Sequence, residues 1–162
     1  MKKIPSKLEL QKWFSKLTDI PKNKYHPLVW IVGNPKIGRG VTIGGMTEIQ
    51  AKHANVLIGN DCDIASFVAI NSADSHKKCI GLSKKIFRGK ILIENNVFVG
   101  SHSVISGKIS IGHHSVIAAG TILVGSHKVP PYSLAIGNPV QIKKGYFKKI
   151  KKWKKLLYHI IV

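Results

Sequence analysis

Asp74-Ser75-His76 places a carboxylate two residues from an imidazole, a pair suited to taking a proton from a hydroxyl or an amine. An unperturbed imidazole titrates near pH 6.5, so it is available as a base close to neutrality. An acidic group two residues away can orient the ring and favour its charged form; aspartate is equally an ordinary turn former at a strand end. Glu48, His53 and Asn55 form a second polar group, with the donors and acceptors to line a pocket for a polar acceptor molecule. No metal site is expected. Zinc needs three or four imidazole or thiolate ligands converging on one point, whereas His102, His113 and His114 fall out of phase with the repeat that surrounds them. Cys62 and Cys79 have neither the spacing of a zinc knuckle nor that of a disulfide framework.

What positions these residues is a period of six. From Ile93 an aliphatic residue returns at Val99, Ile105, Ile111, Ile117, Leu123, Val129 and Ala135. A helix repeats its buried face every 3.6 residues and a strand every 2, so a period of six calls for a short strand plus a turn, one side of a coil. The same phase runs through Ile37, Ile43 and Ile49, and again through Ile58, Ile64 and Ile70. The residues directly after these aliphatics include Gly100, Ser106, Gly112 and Ala118, small side chains that suit a tight corner. The residue four places on is modest in size, as at Val97, Ser103, Ile109, Ser115 and Thr121, and is expected inside the coil. Two breaks interrupt the phase, one around Lys52 to Val56 and a longer one from His76 to Lys90. A solenoid tolerates insertions at its corners, so both breaks are expected to be loops leaving from one edge.

At 162 residues the chain has the length of one domain. Residues 1–33 read as an N-terminal helix and lead-in, 34–142 as the repeat body with its loop at 76–90, and 143–162 as a basic C-terminal helix. Ser6 and Glu9 have capping-box spacing, and Leu10, Trp13, Phe14 and Leu17 share a helix face that is expected to cap the open end of the solenoid. Phe147, Ile150, Trp153, Leu157 and Ile160 are spaced for a helix with lysines between them. The net charge is +19, and no Asp or Glu follows Glu94. Such a field favours a polyanion, and Trp and Leu opposite lysines suit peripheral contact of residues 146–162 with an anionic membrane. Nucleic acid is not expected as a partner, because exposed aromatics do not alternate with basic residues on a common face. With no signal-peptide pattern and no apolar run of membrane-spanning length, the expected location is cytoplasmic, peripheral at the inner membrane face.

The hexad blocks, the interrupting loop with its histidine, and the closing Pro130-Pro131-Tyr132-Ser133 and Gly137-Asn138-Pro139 resemble the hexapeptide-repeat acyltransferases. Among them the chain is most similar to sugar O-acetyltransferases and xenobiotic acetyltransferases of bacteria. The resemblance implies an all-β fold, a left-handed parallel β-helix that assembles as a homotrimer with sites in the clefts between subunits. It implies acetyl-CoA as co-substrate and transfer to a hydroxyl or amino group of a sugar or nucleotide-sugar, in bacterial surface-glycan synthesis, with no metal. By position it makes His76 the general base, sets Ser101 and Ala119 beside the pantetheine arm, and brings Lys143 and Lys144 to the nucleotide phosphates. Val124 and Gly125 stand where relatives often carry Thr-Lys. Two other functions suit the same fold: a non-catalytic β-helix binding module, and a γ-class carbonic anhydrase-like metalloenzyme, whose histidine positions are occupied here by Ser101 and Ser106.

Overall fold

The computed structural model describes residues 5–18 and 23–148, without the side chains of residues 11 and 15. The repeat folds as a parallel β-helix whose coils have three flat faces. The first face stacks Trp30–Gly33, Glu48–Ala51, Ala69–Asn71 and the leading halves of Val104–Ile111 and Ile122–Val129. The second stacks Lys36–Ile37, Val56–Ile58, Ile91–Ile93 and the trailing halves of the same two long strands. The third stacks Thr42–Ile43, Asp63–Ile64, Phe98–Val99, Val116–Ile117 and Leu134–Ile136.

Register keeps every aliphatic of the hexad over its counterpart one coil away. Ile58, Ile93 and Ile111 pair in line on the second face, and Ile64, Val99, Ile117 and Ala135 on the third. All of these are buried, and each isoleucine withdrawn from water stabilises the fold by about 1.5–3 kcal/mol. The positions four residues on are interior too. There the hydroxyls tie one coil to the next: Ser103 Oγ donates to the Ala118 carbonyl at 3.0 Å, and Ser115 Oγ to that of Pro130 at 2.9 Å. Cys62 is buried on the same row, its thiol donating to the Glu94 carbonyl at 3.0 Å, and burial pushes its pKa up.

The corners differ from the sequence reading in one respect. The small residue directly after the aliphatic is required by close stacking, because a Cβ on Gly100 would lie 2.4 Å from the Ala119 nitrogen. Backbone of positive φ falls two residues later, at Asp61, Phe67, Asn96, His102, His114 and Tyr132. At the corner from the first face to the second, Val104–Ile111 and Ile122–Val129 run straight through, turning at Gly107 and Gly125. Gly107 has φ +102°, and an added Cβ would meet the Gly125 carbonyl oxygen at 2.3 Å. Gly107→Ala is therefore expected to lower stability by about 1–3 kcal/mol, read as a shift of the denaturant midpoint.

The first coil begins at Trp30, within the stretch read as lead-in. Ile31 pairs with Ile49 one hexad before Ile37, and it stays half-buried because the end coil is covered on one side only. The helix Lys7–Leu17 forms with its capping box, Ser6 N–H donating to Glu9 Oε2 at 2.7 Å. Its apolar face does not cover the solenoid end: Trp13 and Leu17 are 68% and 74% exposed, and the Lys7 ammonium donates to the Tyr25 carbonyl. The opposite end is closed by Gln141–Lys143, which returns antiparallel along Leu134–Ile136 and blocks an edge that would otherwise invite pairing. The C-terminal helix expected through Ile150, Trp153, Leu157 and Ile160 lies outside the described residues. No described helix is long and apolar enough to cross a membrane.

Candidate functional site

Both phase breaks leave from the corner between the first and second faces. The short one makes a turn at His53, which has φ +56°. The long one departs after Ser72 and returns at Gly89, where Gly89 N–H donates to the Ser72 carbonyl at 2.8 Å and closes the base. It is a folded arm, not an irregular loop: Ala73–Asp74 and Phe87–Arg88 pair antiparallel, and His76–Cys79 forms one helical turn. Within it, Ser83 Oγ bridges the Lys85 N–H and carbonyl at 3.0 and 3.1 Å, and Leu82 N–H donates to the Lys77 carbonyl.

At the tip of this ribbon, His76 Nδ1 lies 2.5 Å from Asp74 Oδ1, and the His76 backbone N–H donates to the same oxygen at 3.0 Å. A carboxylate only accepts, so the proton between them belongs to Nδ1, which leaves the Nε2 lone pair free to accept one. The two donations, backbone first and ring second, hold the Asp74 carboxyl below its ordinary range. The imidazole is mostly exposed, on the wall of a cavity of about 680 Å³. One side of that cavity is the arm, through Lys77, Lys85, Phe87 and Arg88; the other is the corner of the next coils, through Lys108 and Ser126. Sequence reading missed these lining residues. A signal was present in the charge of the arm, which carries Lys77, Lys78, Lys84, Lys85, Arg88 and Lys90 with no acidic residue from His76 to Lys90.

The remaining site residues lie elsewhere. Glu48 is on the first face, accepting from Gln50 Nε2 at 3.4 Å; His53 and Asn55 are exposed at the short break. None of the three lines the cavity with His76. Ser101 and Ala119 occupy the corner between the third and first faces, where Gly120 N–H donates to the Ser101 carbonyl at 2.8 Å. Lys143 extends from the returning strand with its Nζ 6.0 Å from the Tyr146 ring centroid, and Lys144 is exposed in the following turn. A whole face of the prism separates these groups from the arm, so one chain does not bring His76 together with Ser101, Ala119, Lys143 or Lys144. Among the described residues, the histidines outside the arm do not converge on the arm cavity either. His102 stacks on Phe67 at the Ser101 corner, whereas His113 and His114 contact each other and Tyr132 at the third corner. Among the described residues, no group of three or more His, Cys, Asp or Glu side chains is placed to hold a metal ion.

No family model matches the chain. The bifunctional protein GlmU of Streptococcus uberis is 28% identical over 138 residues, covering 76% of this chain. The chain spans 28% of the length of that relative. Among solved structures, the polySia-specific acetyltransferase NeuO is 32% identical, covers 72% of this chain and 61% of its own, and superposes with a TM-score of 0.59. A point mutant of AntD, an N-acyltransferase from Bacillus cereus in complex with dTDP-4-amino-4,6-dideoxyglucose and coenzyme A, shares the fold at a TM-score of 0.66, with 19% identity over 84% of this chain and 76% of its own.

Proposed function

As the chain belongs to the hexapeptide-repeat acyltransferase superfamily, we propose that it transfers an acetyl group from acetyl-CoA to a hydroxyl or amino group of a sugar, with His76 as general base. The observation that carries this reading is the Asp74–His76 pair at the wall of the arm cavity, with its ring nitrogen Nε2 available. In the proposed step the acceptor oxygen or nitrogen attacks the thioester carbonyl as its proton passes to Nε2. The oxyanion, stabilised by backbone N–H groups, collapses with cleavage of the C–S bond, and the CoA thiolate takes the proton from the imidazolium. Ser101 and Ala119 are assigned to the pantetheine arm and Lys143 and Lys144 to the nucleotide phosphates. Since these lie a face away from His76, the working site combines two subunits of a homotrimer. Glu48, His53 and Asn55 remain assigned to the acceptor side, reached from the neighbouring coil.

A role in surface-glycan synthesis is part of the same proposal, supported by the polySia acceptor of NeuO and the dTDP-sugar held by AntD. So is a cytoplasmic location with peripheral contact of residues 146–162 with an anionic membrane face, which rests on the lysine-rich sequence there. The test is release of free thiol from acetyl-CoA, measured with and without a panel of simple sugars, nucleotide-sugars and glycan oligomers. Acceptor-dependent release supports the reading; no release with any acceptor leaves the binding-module alternative.

Asp74→Asn is expected to lower kcat about tenfold or more with little change in the KM of either substrate, because the ring loses its charged orienting partner. The sign of the pH effect follows from the depressed Asp74 pKa. Its contribution is fully present above the ordinary value of 3.8 and is lost only as pH falls through the lower folded value. Across the neutral range the Asp74 carboxylate therefore stays ionised, and the ratio of wild-type to Asn-variant kcat should not change with pH on account of Asp74.

A further inference from the structure

The cavity at His76 adjoins a second hollow of about 470 Å³, and the two share Lys108 and Ser126 in their walls. Lys77, Lys85 and Arg88 line the first, Lys90 and Lys128 the second, and Lys108 both. Asp74 is the one carboxylate on either wall, and His76 already occupies it. Six cations thus line two adjoining hollows, the first of which holds the proposed base. The lysines of the second hollow come from stacked coils: Lys90 and Lys108 precede the paired residues Ile91 and Ile109, and Lys128 pairs with Ser110. Neighbouring strands lie about 4.8 Å apart, so the coil stack repeats positive charge at short intervals along the track. Like charges held this close repel one another unless a ligand supplies the counter-charge, and they focus a field that draws anions to the site.

We infer that this track binds an acidic oligosaccharide, a chain of sugars each carrying a carboxylate, and feeds one of its hydroxyls to His76 Nε2. The inference rests on the acyl-transfer reading and names its acceptor class. A nucleotide-sugar concentrates its charge on one diphosphate and would leave half the cations idle. An extended acid with one charge per ring spreads its carboxylates along both hollows, where lysine and arginine make charge-assisted hydrogen bonds to them. Phe87 and Ile86, which also line the first hollow, offer an apolar surface for a sugar ring.

Equilibrium binding by the full chain, with no acyl donor present, tests this directly. The probes are a sialic acid tetramer, a neutral maltose tetramer, dTDP-glucose and an oligodeoxynucleotide of matched charge. The sialic acid tetramer is expected to bind at least about tenfold more tightly than the other three at an ionic strength of about 0.15 M, and to weaken as salt rises. Lys85→Ala and Arg88→Ala are each expected to cost about tenfold, whereas Lys36→Ala, which removes the same charge from a cavity outside the track, leaves the affinity unchanged. Equal binding of the oligonucleotide or of dTDP-glucose, an equal loss in Lys36→Ala, or displacement of the tetramer by coenzyme A would each overturn the inference. The two readings fail separately. Tetramer binding through Lys85 and Arg88 without thiol release from acetyl-CoA sinks the acyl-transfer reading alone, and acceptor-dependent release that ignores acceptor charge sinks the acidic acceptor alone.

Discussion

His76→Ala is expected to lower acceptor-dependent acyl transfer by about 10²–10⁴-fold, the usual range for loss of a positioned acid–base group. The magnitude follows from what the structure leaves behind. Asp74 cannot substitute as base, because its carboxyl is held below the ordinary range and exists almost wholly as a weakly basic anion near neutrality. Among the described residues, no other imidazole lines the cavity. His127 lines the adjoining hollow, but its ring Nε2 is engaged 3.1 Å from the Val124 carbonyl. Because the ring is exposed and its polar contact is to Asp74 two residues away, the substitution removes no core packing, and the thermal midpoint should stay within a degree or two of wild type. A loss of rate with unchanged KM values and unchanged stability supports general-base catalysis. Turnover equal to wild type would remove His76 from the mechanism and leave the arm as a binding element.

The repeat was legible because burial enforces it: each hexad aliphatic from Ile93 to Ala135 is packed inside the coil, withdrawn from water. The left-handed corners were not legible. Met46, Phe67, His102 and Tyr132 are side chains that do not ordinarily announce positive φ, and here the stacking of identical corners imposes it. Ile31 was in phase and was missed because it stands alone before Ile37, in a coil exposed at one end. In the site, Asp74 and His76 were readable from their spacing, since they are local in the chain. The opposite wall was not. Lys108 and Ser126 come from later coils, and the paired strands of the arm are two residues long, too short to show any period. Lys85 and Arg88 were visible only as charge in a stretch without pattern, and composition does not say which way a loop folds.

Complementation between two inactive variants tests the assignment of the site to two subunits. Ala119→Trp places a large ring at the corner where the pantetheine arm is assigned; the position is exposed, so the fold should accept it. Alone, this variant and His76→Ala are each expected to lose nearly all transfer. When the two are co-expressed, each site in a homotrimer draws its histidine from one chain and its Ala119 corner from the next. Random assembly then restores an intact pair at about one site in four, and activity to about a quarter of wild type. A site contained in one chain gives a different result, because every chain then carries one lesion and mixing restores nothing. The physical basis is the prism itself. His76 stands at one corner and Ser101 with Ala119 at another, with a whole face of the coil between them. Recovery near a quarter supports the shared cleft, and the absence of recovery in co-purified mixed trimers would return the cofactor residues to a different part of the chain.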